Sequence, residues 1–278
     1  MPLTVEDHRR DGMGMTYVYP VVSRRAGGVS VGINLNPNNA CNWRCIYCQV
    51  PGLTRGGPPP LDLRCLEDEL RCMLDGISHG GFMAECVPEG LRRLADVAFS
   101  GNGEPTSARE FPAAVATVAR LLNEFGLDGQ VKIRLITNGS LLERASAREG
   151  IARIGQAGGE VWFKLDAATP AAILRINGTR QKPEAVLRRL ALCAELCETW
   201  VQSCFFALDG KPPRARDIAS YLGMLEAAKA GIVGVHVYGM ARPSCQREAP
   251  MLGRLPAAWL EALAMRIRTL GLTVKVSP

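Results

Sequence analysis

Short apolar segments of strand character alternate with longer amphipathic segments along most of this chain. Parallel strands need a crossover between them, usually a helix, so this alternation predicts a mostly parallel sheet covered by helices. Six such units with right-handed crossovers predict an α/β fold that curls into a full or partial (β/α)6 barrel. The strand candidates are 29–35, 95–101, 131–138, 160–166, 200–208 and 233–240, and helical stretches lie near 111–125, 145–156, 183–197, 215–230 and 257–270.

A single domain is the better interpretation of the 278 residues, because no repeat and no long linker divides them. Residues 1–28 read as an irregular N-terminal extension packed on the barrel. Residues 29–278 form the core domain with a C-terminal extension, in which the segment LTVKVS predicts a last edge strand.

Alternating side chains in two strands predict a polar interior. In the segments 160–166 and 233–240 one face is apolar and suits the helix layer, while the other is polar. Charged side chains are rarely buried alone, so the polar faces predict a cavity inside the barrel; the alternative is that they contact solvent on edge strands. The inward set is Trp162, Lys164, Asp166, His236, Tyr238, Met240 and Arg242, with Gln202, Cys204 and Phe206 sharing one face of the intervening strand.

Composition limits the cellular compartment and the kinds of binding partner that we expect. The chain has no apolar run of eighteen residues and no secretory signal, so we expect a cytoplasmic protein with no membrane contact. There its ten cysteines stay reduced and act as metal ligands, catalytic thiols or core residues. The net charge of +6 mildly favours anionic partners. The arginine pairs 9–10, 24–25 and 92–93 lack the interleaved aromatic residues of an RNA-binding sheet.

Three of the ten cysteines, Cys41, Cys45 and Cys48, directly follow the first predicted strand. Ligands bind at the carboxyl ends of strands in barrel folds. A structural zinc site needs four ligands, and the nearest fourth candidate is Cys65 in the next helix. A 4Fe-4S cluster held by three thiolates instead leaves one iron with an open coordination position. The spacing therefore favours a reactive cluster over a closed metal site.

The pattern C-x3-C-x-Y-C, here Cys41-Asn-Trp-Arg-Cys45-Ile-Tyr47-Cys48, resembles the signature of the radical S-adenosylmethionine (SAM) superfamily. The resemblance implies that the cysteines hold a 4Fe-4S cluster whose open iron binds the amino and carboxylate groups of SAM. One electron then cleaves the sulfonium, and the 5′-deoxyadenosyl radical abstracts a hydrogen from substrate. It also implies that Tyr47 packs near the adenine and that the fold is the superfamily's partial (β/α)6 barrel.

A second match is Ser-Gly-Asn-Gly-Glu-Pro-Thr at 100–106, which is similar to the family's Gly-Gly-Glu-Pro motif. The resemblance implies that Gly101, Asn102, Gly103 and Glu104 help to hold the methionyl amino group. Here Asn102 replaces the first glycine, a change that the turn tolerates because asparagine accepts positive φ. In isolation, the segment is also a credible strand-to-helix turn.

Polar residues at later strand ends complete the expected cofactor site. Asn138, Lys164 and Asp166 correspond to groups that contact the ribose and the carboxylate of SAM in the family, and His236 and Tyr238 join this set. Asn138-Gly139 is also a common turn dipeptide. Lys164 and Asp166 could instead pair with each other or with Arg134, and Lys164 could act catalytically as a Schiff base if burial lowered its pKa.

Within the superfamily the chain most resembles the group that contains the wyosine-base synthases of tRNA modification. The cues are INLNPNNACNWRCIYCQ, SGNGEPT and KLDA. Those synthases carry a second cluster on cysteines upstream of the main motif, whereas no cysteine precedes Cys41 here. We therefore expect a small-molecule or peptide substrate, anionic in view of Arg55 and Arg242, with tRNA as the alternative. An electron donor such as flavodoxin or ferredoxin is implied.

The remaining cysteines have core packing as their default role. Cys245 or Cys204 could donate hydrogen to a substrate radical or ligate an auxiliary cluster. Two other function classes stay open: a non-catalytic iron–sulfur or zinc protein, and a barrel enzyme in which the cysteines are incidental. The cysteines with no assigned role are Cys65, Cys72, Cys86, Cys193, Cys197 and Cys204.

Overall fold

A computed structural model of the chain describes residues 3–4, 13–23 and 26–278. The arginine pairs 9–10 and 24–25 lie outside the described residues. The strands are β1 (Val18–Ser23), β2 (Gly28–Ile33), β3 (Ala40–Cys41), β4 (Thr54–Arg55), β5 (Leu94–Phe99), β6 (Lys132–Thr137), β7 (Glu160–Lys164), β8 (Glu198–Phe205), β9 (Ala207–Leu208), β10 (Gly234–Gly239), β11 (Leu252–Gly253) and β12 (Thr273–Ser277). The helices are α1 (Leu63–Ser78), α2 (Phe82–Cys86), α3 (Phe111–Glu124), α4 (Ala145–Gln156), α5 (Pro170–Asn177), α6 (Pro183–Leu196), α7 (Ala215–Ala228) and α8 (Ala257–Arg268).

Eight strands form one curled, open sheet in the order β1-β2-β5-β6-β7-β8-β10-β12. All neighbouring pairs from β2 to β12 are parallel, and helical crossovers connect most of them. The sheet is a partial barrel, so the predicted fold class is confirmed. The last edge strand is also where the segment LTVKVS predicted it.

The sequence prediction lacks helix α2, the two-residue strands β3, β4, β9 and β11, and two elements that bear on the sheet edge and the site, β1 and α5. The head is not irregular throughout, because β1 pairs antiparallel with β2 at the first edge of the sheet. Pro20 lies inside β1 and hides its strand character, but an edge strand tolerates a residue without an N–H. Helix α5 was missed because eight residues give little more than two turns of periodicity; Thr169 caps its first turn by accepting the backbone N–H of Ala172.

The main core lies between the sheet and the surrounding helices. Val161, Phe163, Val235 and Val237 belong to this core, which confirms the predicted apolar faces of their strands. Along the described ranges 3–4, 13–23 and 26–278, none of the helices has both the length and the apolar character required to cross a bilayer.

A stack of aromatic and cationic side chains crosses the inside of the barrel near the amino ends of its strands. The Trp162 ring lies 4.5 Å from the His236 ring, which lies 4.8 Å from the Trp200 ring. Arg134 covers the far face of Trp162 at 4.4 Å and Lys275 covers Trp200 at 4.2 Å. These five side chains are called the floor below, because they bound the interior at the end opposite the cysteine loop.

Candidate active site

A cavity of about 320 Å³ occupies the inside of the partial barrel. Cys41, Cys45 and Cys48 line it at the carboxyl end of the sheet, and Trp162 of the floor lines it at the other end. Lys164 and Gln202 lie between them on adjacent strands, paired in register. The structure therefore brings the three predicted cluster ligands into the same space as the predicted polar strand residues.

The cysteine loop is held from two sides by distant parts of the chain. On one side, the N–H groups of Arg44 and Ile46 donate to the carbonyl oxygens of Asn177 and Ile176 at 3.1 and 2.8 Å. On the other side lies the segment 242–248, which is called the clamp segment below. There the Ser244 hydroxyl donates to the Ile46 carbonyl at 2.7 Å.

An ion pair extends the second of these contacts. Arg44 and Glu248 form a two-point contact with distances of 2.9 and 2.8 Å. The Arg44 side chain holds the pKa of Glu248 at about 2 through its hydrogen bonds, so Glu248 is a carboxylate at neutral pH. The loop is thus fixed before any ligand binds, because both flanks are anchored to the barrel.

The environment of the thiols suits a cluster rather than one ion. Burial raises the pKa of Cys41 to about 11 and that of Cys45 to about 12. Bound iron reverses this, because its positive charge stabilises the thiolates. Within the described residues, no three His, Cys, Asp or Glu side chains converge on the position of a single ion. In a 4Fe-4S cluster each thiolate holds a different iron, so such convergence is not required.

Trp43 and Gln202 place buried donors in the cavity wall that have no hydrogen-bond partner among the described residues. Trp43 Nε1 lies beside the cysteines, and Gln202 Nε2 lies deeper. The Gln202 side chain belongs to a residue that is 1% exposed. An unmade hydrogen bond at a buried donor costs about 1–3 kcal/mol, so a ligand with acceptor atoms fits this space. The donor set fits a sulfide-rich cluster with a polar cofactor below it.

Glu104 organises the loop that carries the second sequence match. One carboxylate oxygen accepts the hydroxyls of Thr106 and Thr137 at 2.7 and 2.6 Å, and the other accepts the N–H of Asn138 at 2.7 Å. Burial raises the pKa of Glu104, while these hydrogen bonds work to lower it. The carboxylate therefore joins its own loop to the end of β6, and Glu104 lines the cavity.

Neighbouring segments lie so close to the same loop that two of its positions have no room for a side chain. A Cβ at Gly101 would lie 2.4 Å from the Asn34 side-chain oxygen, and φ there is +136°. At Gly103 a Cβ would lie 2.1 Å from the Ala40 carbonyl oxygen. Asn102 stands between them, and its side chain donates to Asn39 at 2.6 Å. Gly101, Asn102 and Gly103 all line the cavity, so the replaced glycine leaves the loop in place.

A network centred on Asp166 lies behind Tyr47. Its carboxylate accepts the Tyr47 hydroxyl, the Cys204 N–H at 3.0 Å and the Asn177 amide at 2.8 Å. Asn138, the other predicted strand-end residue, donates to Asn42 in the cysteine loop at 2.9 Å. Both residues therefore connect the strand ends to the loop.

Lys164 is held as a cation inside the cavity. Its ammonium donates to the Tyr238 hydroxyl at 3.1 Å and lies 5.1 Å from the centre of the Tyr47 ring. Burial is the largest single effect and works to lower the pKa of Lys164, but Asp166 together with Tyr238, Cys45 and Cys204 outweighs it and the pKa is raised. The condition for a Schiff-base role, a lowered pKa, is not met.

Other expected residues lie at the margin of the cavity. Arg134 pairs with Asp96, and with Glu160 at 2.6 Å, so its ion-pair partners are carboxylates of the floor region. His236 is buried between the two indole rings and is not among the residues that line the cavity. Arg55 donates to the carbonyl oxygens of Asn42 and Gly178 and supports the loop from outside.

Cys245 lies against the cysteine loop rather than inside the cavity. Its N–H donates to the Cys48 carbonyl at 2.8 Å, and its exposed thiol lies 3.4 Å from the Gln49 carbonyl. A role as hydrogen donor gains no support from this position. Cys204 does line the cavity. Cys193 and Cys197 are buried in the main core, in line with the default of core packing.

The sequence interpretation missed two residues of the site. Asn177 ends a helix that was not predicted, and its neighbours in sequence carry no motif. Trp43 lies within the cysteine pattern at a variable position, so only the buried location of its N–H identifies it. Both residues are therefore identified only by the tertiary structure.

Comparisons with known proteins agree with this geometry. The family model described as Radical SAM superfamily matches residues 35–206. The fold is similar to SuiB of Streptococcus suis bound to S-adenosylmethionine, with TM-score 0.57 and 14% identity over 91% of this chain and 49% of SuiB. It is also similar to a radical SAM methyltransferase of Sphaerobacter thermophilus, with TM-score 0.59 and 14% identity over 93% of this chain and 68% of that one.

A curated relative shows a more limited similarity. The GTPase Obg of Brachyspira hyodysenteriae is 23% identical over 132 residues, which are 48% of this chain. The matched region is 17% of the GTPase, so this chain spans about one-sixth of that protein's length. The superfamily match, in contrast, covers more than half of the chain, including strands β5 to β8 and all three cluster cysteines. The chain belongs to the radical SAM superfamily, a family that implies a 4Fe-4S cluster and S-adenosylmethionine.

Proposed function

We propose that this enzyme abstracts a hydrogen atom from a small anionic metabolite or an anionic peptide. The observation that carries the proposal is the shared cavity, in which the three cysteines face Lys164, Gln202 and Arg242. When bound, the cluster and SAM together supply one-electron cleavage of the sulfonium and a radical that abstracts hydrogen. The chain's own residues bind, orient and shield these groups.

The roles proposed for individual residues follow from their contacts. Cys41, Cys45 and Cys48 are the cluster ligands. Glu104 and the glycine loop cradle the methionyl amino group, since the loop backbone and one buried carboxylate meet there. Lys164 holds a positive charge for the carboxylate of SAM. The rings of the floor pack against one another at tilted angles and fill part of the interior near the amino end of the barrel.

The substrate proposal rests on the donors that line the cavity. Arg242 is a cation in the wall, and Gln202 Nε2 is a neutral donor with no partner in the part of the chain that the structure describes. Buried donors left unpaired select against a ligand that cannot accept hydrogen bonds. A carboxylate or another acceptor-rich group meets this requirement.

A tRNA base is the competing substrate. The sequence cues for the wyosine-type group favour it, whereas the missing upstream cysteines oppose it. A one-electron donor of the flavodoxin or ferredoxin class is proposed as the physiological reductant.

The first experiment tests the cofactors and their ligands. The protein is purified without oxygen, reconstituted with iron and sulfide, reduced, and examined by EPR with and without SAM. We expect about four irons per chain and a spectrum that changes when SAM is added. The variants C41A, C45A and C48A should each lose the cluster, whereas C72A and C193A should retain it. Bound zinc, or a cluster insensitive to SAM, would contradict the proposed function.

The second experiment tests the substrate class. Reduced enzyme and SAM are incubated with size-fractionated cell extract, with purified total tRNA, or with neither, and release of 5′-deoxyadenosine is measured. Stimulation by the anionic small-molecule or peptide fraction, reduced in the variant R242Q, supports the proposal. Stimulation by tRNA alone would favour the competing substrate.

A further inference from the structure

Asn177 is a buried amide between the cysteine loop and the Asp166 network. It is the last residue of α5, only 2% exposed, and Gly178 ends the helix after it with φ of +63°. Its backbone carbonyl accepts the Arg44 N–H at 3.1 Å. The position of Asn177 relative to the loop is therefore fixed by the backbone before its side chain makes any contact.

The amide nitrogen of Asn177 contacts two acceptors at once. Nδ2 lies 3.4 Å from Cys45 Sγ and 2.8 Å from an Asp166 carboxylate oxygen. An amide nitrogen carries two N–H groups, so one can serve each acceptor. The reverse orientation would place the amide oxygen against the carboxylate, where two acceptors repel. Asp166 thus determines that an N–H, rather than an oxygen, faces the cysteine sulfur.

We propose that Asn177 raises the reduction potential of the cluster through an N–H···S hydrogen bond to Cys45. The inference rests on the cluster that membership of the superfamily implies. An electron delivered by the one-electron donor increases the negative charge on the iron-bound sulfurs. A donor aimed at one of these sulfurs stabilises the reduced form more than the oxidised form, and such hydrogen bonds are among the determinants of cluster potentials. Asn177 is therefore a positioning residue that acts through a ligand.

The surroundings of the Cys45 sulfur make the Asn177 N–H important for the charge that this sulfur can carry. Cys45 is half-buried, and its surroundings oppose negative charge on its sulfur, whereas the Asn177 hydrogen bond at 3.4 Å stabilises such charge. A hydrogen bond of ordinary net strength changes an equilibrium up to about tenfold. For one electron that corresponds to a shift of up to about 59 mV.

The test compares midpoint potentials of reconstituted proteins by EPR-monitored redox titration. In N177L the side chain keeps its size but has no N–H, and N177S is too short to reach the sulfur. We expect both variants to bind about four irons and to have more negative midpoint potentials than the unsubstituted protein. The matched control is T169A, which removes the cap of the same helix and leaves the N–H···S contact in place.

The outcomes separate this inference from the proposed function. Failure of the unsubstituted protein to bind a cluster would contradict the proposed function. A bound cluster with the same potential in N177L, N177S and the unsubstituted protein would overturn the role of Asn177 alone. A negative shift of equal size in T169A would also overturn it, because loosening of the helix would then explain the change.

A measurement on the unsubstituted protein covers the case in which both variants lose the cluster. The chain is labelled with ¹⁵N in its asparagine side chains, and the reduced cluster is examined by pulsed EPR. We expect a ¹⁵N coupling from Asn177. The nearby Asn42 presents its oxygen to Cys41 at 3.8 Å and directs its nitrogen to Ser140. Absence of any ¹⁵N coupling would overturn the hydrogen bond.

Discussion

At the scale of single residues, the site depends on specific hydrogen bonds and on glycines in tight contacts. Glu104 uses both carboxylate oxygens to join its loop to the end of β6. Gly139 follows that strand end with φ of +67°, and the ring of Phe163 packs against its Cα. Each of these contacts depends on the side chain, or its absence, at one position, so a single substitution tests it.

Replacing Gly139 with alanine should destabilise the protein more than the same change at Gly126. Both glycines have φ near +66°, where an L-residue costs about 1–2 kcal/mol. At Gly139 the new Cβ would also lie 2.1 Å from Phe163 Cε2, whereas nothing lies within 4 Å at Gly126. Overpacking should add about 1–3 kcal/mol to the loss in G139A. Urea denaturation of the two apoproteins measures the difference, and equal losses would show that Phe163 moves freely.

Replacing Lys164 with methionine should weaken SAM binding about 10- to 100-fold. A hydrogen bond to a charged group contributes about 1.5–3 kcal/mol, and methionine keeps the length of the side chain without the charge. Calorimetric titration of the reconstituted protein with SAM measures the change. K229M is the control, because Lys229 pairs with Glu226 on the surface. Unchanged SAM affinity in K164M would assign the ammonium to the substrate instead.

At the scale of elements, the cysteine loop has little regular structure and takes its shape from its neighbours. The end of α5 holds one flank and the clamp segment holds the other. The two-residue pairing of β3 with β4 closes the loop at its base. A cluster site on an irregular loop is therefore positioned by two elements that are far away in sequence.

Loss of the Arg44–Glu248 contact should accelerate cluster loss more than it lowers stability. The pair is partly exposed, with side chains 29% and 17% accessible, so E248A should cost no more than about 1 kcal/mol of unfolding free energy. Cluster release to a chelator should nevertheless become several-fold faster, because the clamp segment is freed at one end. The decay of the cluster absorbance measures the rate. E261A, which breaks an exposed pair with Arg268, should leave the rate unchanged.

At the scale of the whole molecule, the cavity extends from the cysteine loop toward the amino ends of the strands, where Asp96 and Arg134 also line it. A charged network that includes Asp96, Arg134, Glu160 and Lys132 joins three neighbouring strands at the amino end. Because β5, β6 and β7 each contribute to this network, we assign it to stabilising the register of these strands rather than to the reaction.

Replacing Glu160 with glutamine should destabilise the protein in a pH-dependent way. Burial works to raise the pKa of Glu160, but Arg134 and Lys132 outweigh it and lower the pKa below 4.5. A lowered folded-state pKa contributes stability that is fully present above pH 4.5 and is lost as the pH falls through the lowered value. The loss in E160Q should therefore be about 3 kcal/mol at pH 7 and should shrink in acid.

Chemical denaturation of the apoprotein at several pH values tests this expectation. The matched control is E149Q, which removes an exposed pair with Arg153 and should cost less than about 1 kcal/mol. A loss in E160Q that stays constant from pH 7 to acid would show that packing, rather than charge, accounts for it.

Local patterns in the sequence predicted the fold class and a candidate cofactor site. Strand and helix periodicity lies within each segment, so seven of the eight strands of the main sheet were predictable. The C-x3-C-x-Y-C pattern and the Gly-Asn-Gly-Glu-Pro loop are likewise contiguous. Strand β1 and helix α5 were not predictable, because a proline hides one and the other is too short to show its period.

Contacts between distant residues were decided only by the tertiary structure. Asn177 meets Cys45 across 132 positions, and Arg44 meets Glu248 across 204. His236 had the polarity of a cavity residue but became part of the floor, because two indole rings from neighbouring strands enclose it. The sequence alone determined the fold class and the candidate residues for the cluster and the cofactor, since residue type and local spacing identify both. The orientation of the donors around the cluster required the fold, because hydrogen bonds depend on distances that only packing determines.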